Sequence, residues 1–121
     1  MYERKITLFG VFLEERAAEC KAQDNVLTEE GRFDEAIFEK VKGNVFEIFK
    51  TVLDAGVKVC GKDWEKLEKF FRGKLEQIPE NWRVSLQKAE VNEDLAKAHL
   101  ERIKLDGLEE IRSKFDEIWG E

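Results

Sequence analysis

The stretch GNVFEIFKTVLDAGVKVCG, residues 43–61, constrains the fold more than any other part of the chain. Placed on a helix, its charged residues Glu47, Lys50, Asp54 and Lys58 line one narrow side. Val45, Phe46, Ile48, Phe49, Val52, Leu53, Ala55, Gly56, Val57, Val59 and Cys60 fill an arc of roughly 200°. A helix packed on one neighbour needs an apolar stripe of only about 100°. The segment is therefore expected to be the central helix of a bundle, with room for two or three neighbours. It falls short of the ~20 apolar residues a membrane span requires.

The rest of the chain supports helices. One Pro and 8 Gly in 121 residues leave long segments uninterrupted. Residues Tyr2, Ile6, Phe9, Leu13, Ala17 and Cys20 recur at steps of three and four, which predicts a first helix ending near Asp24-Asn25. VLTEEGR, residues 26–32, reads as a connector. The next helix is expected to start at Thr28 or at Asp34, and a start at Asp34 would place Phe33 and Phe38 at the two positions of a hydrophobic staple. Gly61 is expected to end the central helix and Asp63 to cap the next, DWEKLEKFFRGKLEQI; Pro79 either ends that helix or opens the following one at its first turn.

The last segment is the longest. Trp82, Leu86, Ala89, Ala96, Leu100 and Ile103 keep heptad register, with Glu93 at a seam position. Beyond Gly107 the pattern resumes one residue out of step at Leu108, Ile111, Phe115 and Ile118. As one helix the segment would be almost 60 Å long, too long for this domain. A kink or break is expected near Asp106-Gly107, with Asn92 as the other place for a bend. The architecture expected is one all-α domain over residues 1–121, a compact up-and-down bundle of four to five helices.

Chemistry-bearing motifs are sparse. His99 is the one histidine, and the residue three before it is Ala96, so the Glu-x-x-His pairs of bundle di-metal sites are missing. Zinc ligation by Cys20, Cys60 and His99 would require three helices to converge at one level. Ser85 and Ser113 sit in no nucleophile elbow. No glycine-rich phosphate loop occurs, and the isolated helical glycines are expected to mark close packing. No catalytic, metal-binding or cofactor-binding residue is therefore assigned, and a non-enzymatic protein is expected. An enzyme site near Glu93 and His99, and an apolar-ligand pocket among Phe46, Phe49, Phe70 and Phe71, stand as alternatives.

Interaction is the leading expectation. Val84, Val91, Leu95 and Ala98 form a second apolar stripe on the long C-terminal segment, and Trp119 ends it. These five are the candidate interface, with a protein partner or a second copy as occupant through the 82–105 helix. Trp64, Trp82 and Trp119, if clustered, would add a hot spot. Residues 58–74 carry local positive charge, and Lys62, Lys66 and Lys69 form a candidate basic docking face for an acidic protein. A net charge of −6 argues against nucleic-acid binding. MYERKITLFGVFLEER lacks the cleavage site of a signal peptide, and two cysteines without CxxC spacing suit a reduced compartment. A cytoplasmic, soluble protein with no membrane association is expected.

Overall fold

The computed structural model describes residues 2–120. Five helices follow one another: α1 (Tyr2–Glu29), α2 (Phe33–Cys60), α3 (Trp64–Gln77), α4 (Glu80–Val91) and α5 (Leu95–Trp119). They form an all-α up-and-down bundle. α1 and α2 are antiparallel, with Gly10 against Leu53 and Gly43 against Cys20. α3 runs antiparallel to α2, and α5 returns antiparallel to α1, α3 and α4.

α3 and α4 make one bent column. Ile78 (φ −60°, ψ −46°) and Pro79 (φ −77°, ψ −3°) stay close to helical geometry. Pro79 has no N–H to continue the ladder, so the helix breaks where the sequence expects it. Asp63 caps α3 as expected, its carboxylate accepting the Lys66 N–H at 3.0 Å.

The core is aromatic. Phe9, Phe46, Phe49, Phe71 and Phe115 are fully buried. Phe71 stacks on Phe115 with centroids 4.7 Å apart and meets Phe9 edge-on at 5.2 Å. Trp119 stacks on Phe115 at 4.4 Å. α2 is the axis: α1, α3 and α5 all pack on it. α4 packs on α5 and makes little contact with α2.

Four expectations require correction. α1 does not stop at Asp24-Asn25 but continues to Glu29, because Leu27 lies seven residues beyond Cys20 and is buried on the same face. α1 then ends in a Schellman turn: the Arg32 N–H donates to the Leu27 carbonyl at 2.9 Å across Gly31, whose φ is +78°. Phe33 is the first residue of α2 and largely exposed, while Phe38 packs edge-on against His99 at 4.4 Å.

The C-terminal segment breaks at residues 92–94, and α5 runs unbroken through Asp106-Gly107. The Asp94 N–H donates to the Ala89 carbonyl at 2.8 Å and the Glu93 N–H to the Glu90 carbonyl at 3.2 Å. Glu93 takes φ +57° between them, and the Asp94 carboxylate accepts the Lys97 N–H at 3.2 Å to start α5. Asn92-Glu93-Asp94 thus holds both a stop and a start. The slip at Gly107 needs no kink: once α5 starts at Asp94, its buried positions 98, 101, 108, 111, 115 and 118 stay on one face straight through it. The restart at Asp94 also changes which alanine is buried: Ala98 is covered and Ala96 is exposed.

Candidate interaction surfaces

The fold covers only part of the apolar arc of α2. Val45, Phe46, Phe49, Leu53, Gly56 and Cys60 face the core. Phe33, Ile37, Ile48, Ala55 and Val59 are exposed, and Val41 and Val52 are half-buried beside them. With the exposed Asn44, these residues stand at 33, 37, 41, 44, 48, 52, 55 and 59. The steps are four, four and three, an eleven-residue repeat that drifts only about 20° per repeat. They form one row along the whole helix. It stays open because α1, α3 and α5 pack on other sides of α2, at Gly43, Gly56 and Val45, while α4 packs on α5.

This row went unrecognised in the sequence because Ile48 and Val59 are as apolar as their core neighbours. Spacing does not separate the two either, since the core positions 45, 49, 53, 56 and 60 follow the same steps of four and three.

The interface residues expected from the sequence separate into two groups. Val84, Val91 and Leu95 lie at the α4–α5 tip, and Val91 and Leu95 are 76 % and 78 % exposed. Val84 and Val91 line a shallow groove with Gln87, Lys88 and Asn92. Ala98 is buried, and Trp119 packs into the core against Phe9 and Phe115. An interface along one 82–105 helix is ruled out, because that span is two helices. The tryptophans do not cluster: Trp64 stacks on Tyr2 at 5.2 Å, Trp82 lies under Lys104, and Trp119 belongs to the core.

Lys62, Lys66 and Lys69 are all exposed. The neighbouring Arg72 is turned to other work, donating to Asp116 at 2.8 Å and Glu68 at 3.4 Å. Its guanidinium lies over the Phe115 ring, 4.9 Å from the centroid.

The alternative sites do not assemble. Phe46, Phe49 and Phe71 fill the core, Phe46 against Phe12 at 6.1 Å and Phe49 against Phe71 at 5.9 Å. Phe70 instead lies against Gly56. Glu93 is exposed in the α4–α5 turn, whereas His99 faces Phe38 of α2. Cys20 sits against Gly43, and Cys60 lies seventeen residues further along α2, about 25 Å away along the axis. Both are free thiols, and no metal-competent cluster occurs among the described residues. No helix among those residues is long and apolar enough to cross a membrane.

The buried acid is Glu101, not Glu93. One of its oxygens accepts from Lys104 Nζ at 3.2 Å, and the other is buried without a hydrogen-bond partner. Across the bundle, Arg16 Nε donates to Glu110 at 2.6 Å, and this pairing raises the pKa of the guanidinium.

No protein-family profile, curated protein or solved structure matches the chain.

Proposed function

We propose that this chain is a non-enzymatic helical interaction module that receives an amphipathic helix of a protein partner along the outer face of α2. One observation carries the reading: Phe33, Ile37, Ile48, Ala55 and Val59 are exposed along one side of α2, with Asn44 among them, although the same helix supplies the centre of the core. Contiguous apolar surface of this extent marks an interaction site on a folded protein. A row at helical spacing suits a partner helix, whose own apolar positions would interleave with Ile37, Ile48 and Val59. The tip formed by Val84, Val91 and Leu95 is shorter and divided by the α4–α5 turn, so it serves as an accessory contact.

A photoreactive amino acid placed at Ile48 in living cells tests the proposal. A discrete protein adduct is expected, and the same probe at Glu109, exposed on α5, is expected to form none. Absence of any adduct at position 48 would overturn the reading.

A further inference from the structure

We infer that the occupant of the α2 row is a second copy of this chain, packed antiparallel about a two-fold axis that crosses the exposed face of α2 between Asn44 and Ile48. The inference rests on the interaction reading above and names its partner.

The first argument is the symmetry of the row. A two-fold interface requires a self-complementary surface. Antiparallel pairing centred on position 46 sets Phe33 against Val59 of the second copy, Ile37 against Ala55, and Asn44 against Ile48. Every member of these pairs is exposed in the single chain. Large residues meet smaller ones at both ends, Phe33 with Val59 and Ile37 with Ala55, so knobs on one copy have space on the other. The row is about 40 Å long, from the first turn of α2 to its last.

The second argument is charge. Around Phe33 lie Glu29, Glu30, Asp34 and Glu35 with a single cation, Arg32. Arg32 is bound to Glu30 and Glu35, which leaves this end acidic. Around Val59 lie the exposed Lys58 and Lys62 with Asp63, followed by Lys66 and Lys69 with Glu65 and Glu68, which leaves this end weakly basic. The antiparallel arrangement brings Asp34 level with Lys58 of the second copy, and Glu30 level with its Lys62. Attraction of opposite ends sets direction more than affinity. A parallel pair would set acid against acid and lysine against lysine, which is unfavourable. The basic face expected from the sequence thus acquires an acidic partner surface within the same molecule.

The test uses the intact chain. Sedimentation from low to high micromolar concentration is expected to show a concentration-dependent shift from the 14.2 kDa monomer to a dimer. The variant Ile37→Lys/Ile48→Lys is expected to remain helical and to sediment as a monomer throughout. Direction is read by disulfide trapping. An equimolar mixture of Ile37→Cys and Ala55→Cys chains, one carrying a mass tag, should cross-link as the mixed dimer, and each alone should not. Self-linking of Ile37→Cys chains would overturn the antiparallel arrangement. A wild-type monomer at high micromolar concentration would overturn self-association outright. In that event, an adduct to a different protein from position 48 in cells would preserve the interaction reading, and no adduct would end both.

Discussion

Gly56 of α2 and Leu67 of α3 approach so closely that a Cβ on Gly56 would lie 2.8 Å from Leu67 Cδ1. The ring of Phe70 would stand equally near. Alanine is better than glycine in a helix by about 1 kcal/mol, but overpacking costs about 1–3 kcal/mol. Gly56→Ala is therefore expected to lower stability by roughly 1 kcal/mol. Gly73 in α3 meets nothing within 4 Å, and Gly73→Ala is expected to raise stability by about as much. Chemical denaturation of the two variants should give midpoints displaced in opposite directions. Equal displacement would contradict the close approach of α2 and α3.

The α4–α5 turn carries a strained residue. Glu93 holds φ +57°, a conformation that glycine adopts without steric cost. Glu93→Gly is expected to stabilise the protein by about 1 kcal/mol. Asp94→Ala removes the cap on the Lys97 N–H and should cost about 1 kcal/mol. Thermal unfolding checks both, and a destabilised Glu93→Gly chain would mean that residue 93 does not hold the left-handed conformation.

Adjacent residues on α2 should respond in opposite ways to the same substitution. Phe49 is fully buried among aromatic rings, and Phe49→Asp is expected to abolish the far-ultraviolet helical signal at 25 °C. Ile48 is 40 % exposed, so Ile48→Asp should keep that signal and change monomer stability by less than about 0.5 kcal/mol. The truncation Phe71→Ala, which removes contacts to Phe9, Phe49 and Phe115, should cost about 3–5 kcal/mol. A folded Phe49→Asp chain would show that the buried and open sides of α2 have been exchanged.

Burial pushes the Cys20 thiol up to about 11. The folded state therefore retains this proton after the unfolded chain, titrating near 9.0, has lost it. The unfolded state binds fewer protons in that window, so stability falls as pH rises from about 9 towards 11. Cys20→Ala is expected to flatten this part of the stability profile. In the native protein Cys20 should resist alkylation at pH 8 and react promptly in denaturant. Rapid native labelling would show that the α1–α2 contact at Gly43 opens readily.

The helices and most of their ends were legible in the sequence. Pro79, Gly61 and Asp63 act through the backbone of their own turn, so local residues suffice to place them. The α1 boundary was missed because Asp24-Asn25 resembles a stop, and only the burial of Leu27 against the bundle carries the helix onward. The break in the C-terminal segment was legible as a necessity of length. Its position was not, because Gly107 and Asn92-Glu93-Asp94 both offered a place. Gly107 faces α2 and is buried there, where a Cβ would come within 3.4 Å of Val45.

The candidate surface divides along the same line. The chain alone determined that α2 has more apolar surface than one neighbour can cover, that its charges share one side, and that a basic cluster follows it. Those are properties of spacing on a single helix. The tertiary structure decided which part of that surface is covered. α1, α3 and α5 pack on one side of α2 and α4 packs on α5, so Phe46, Phe49 and Leu53 are enclosed while Ile37, Ile48 and Val59 stay open. Side-chain chemistry cannot separate these two sets, since both are apolar. The path of another segment separates them, and that path is fixed by packing between residues far apart in the chain.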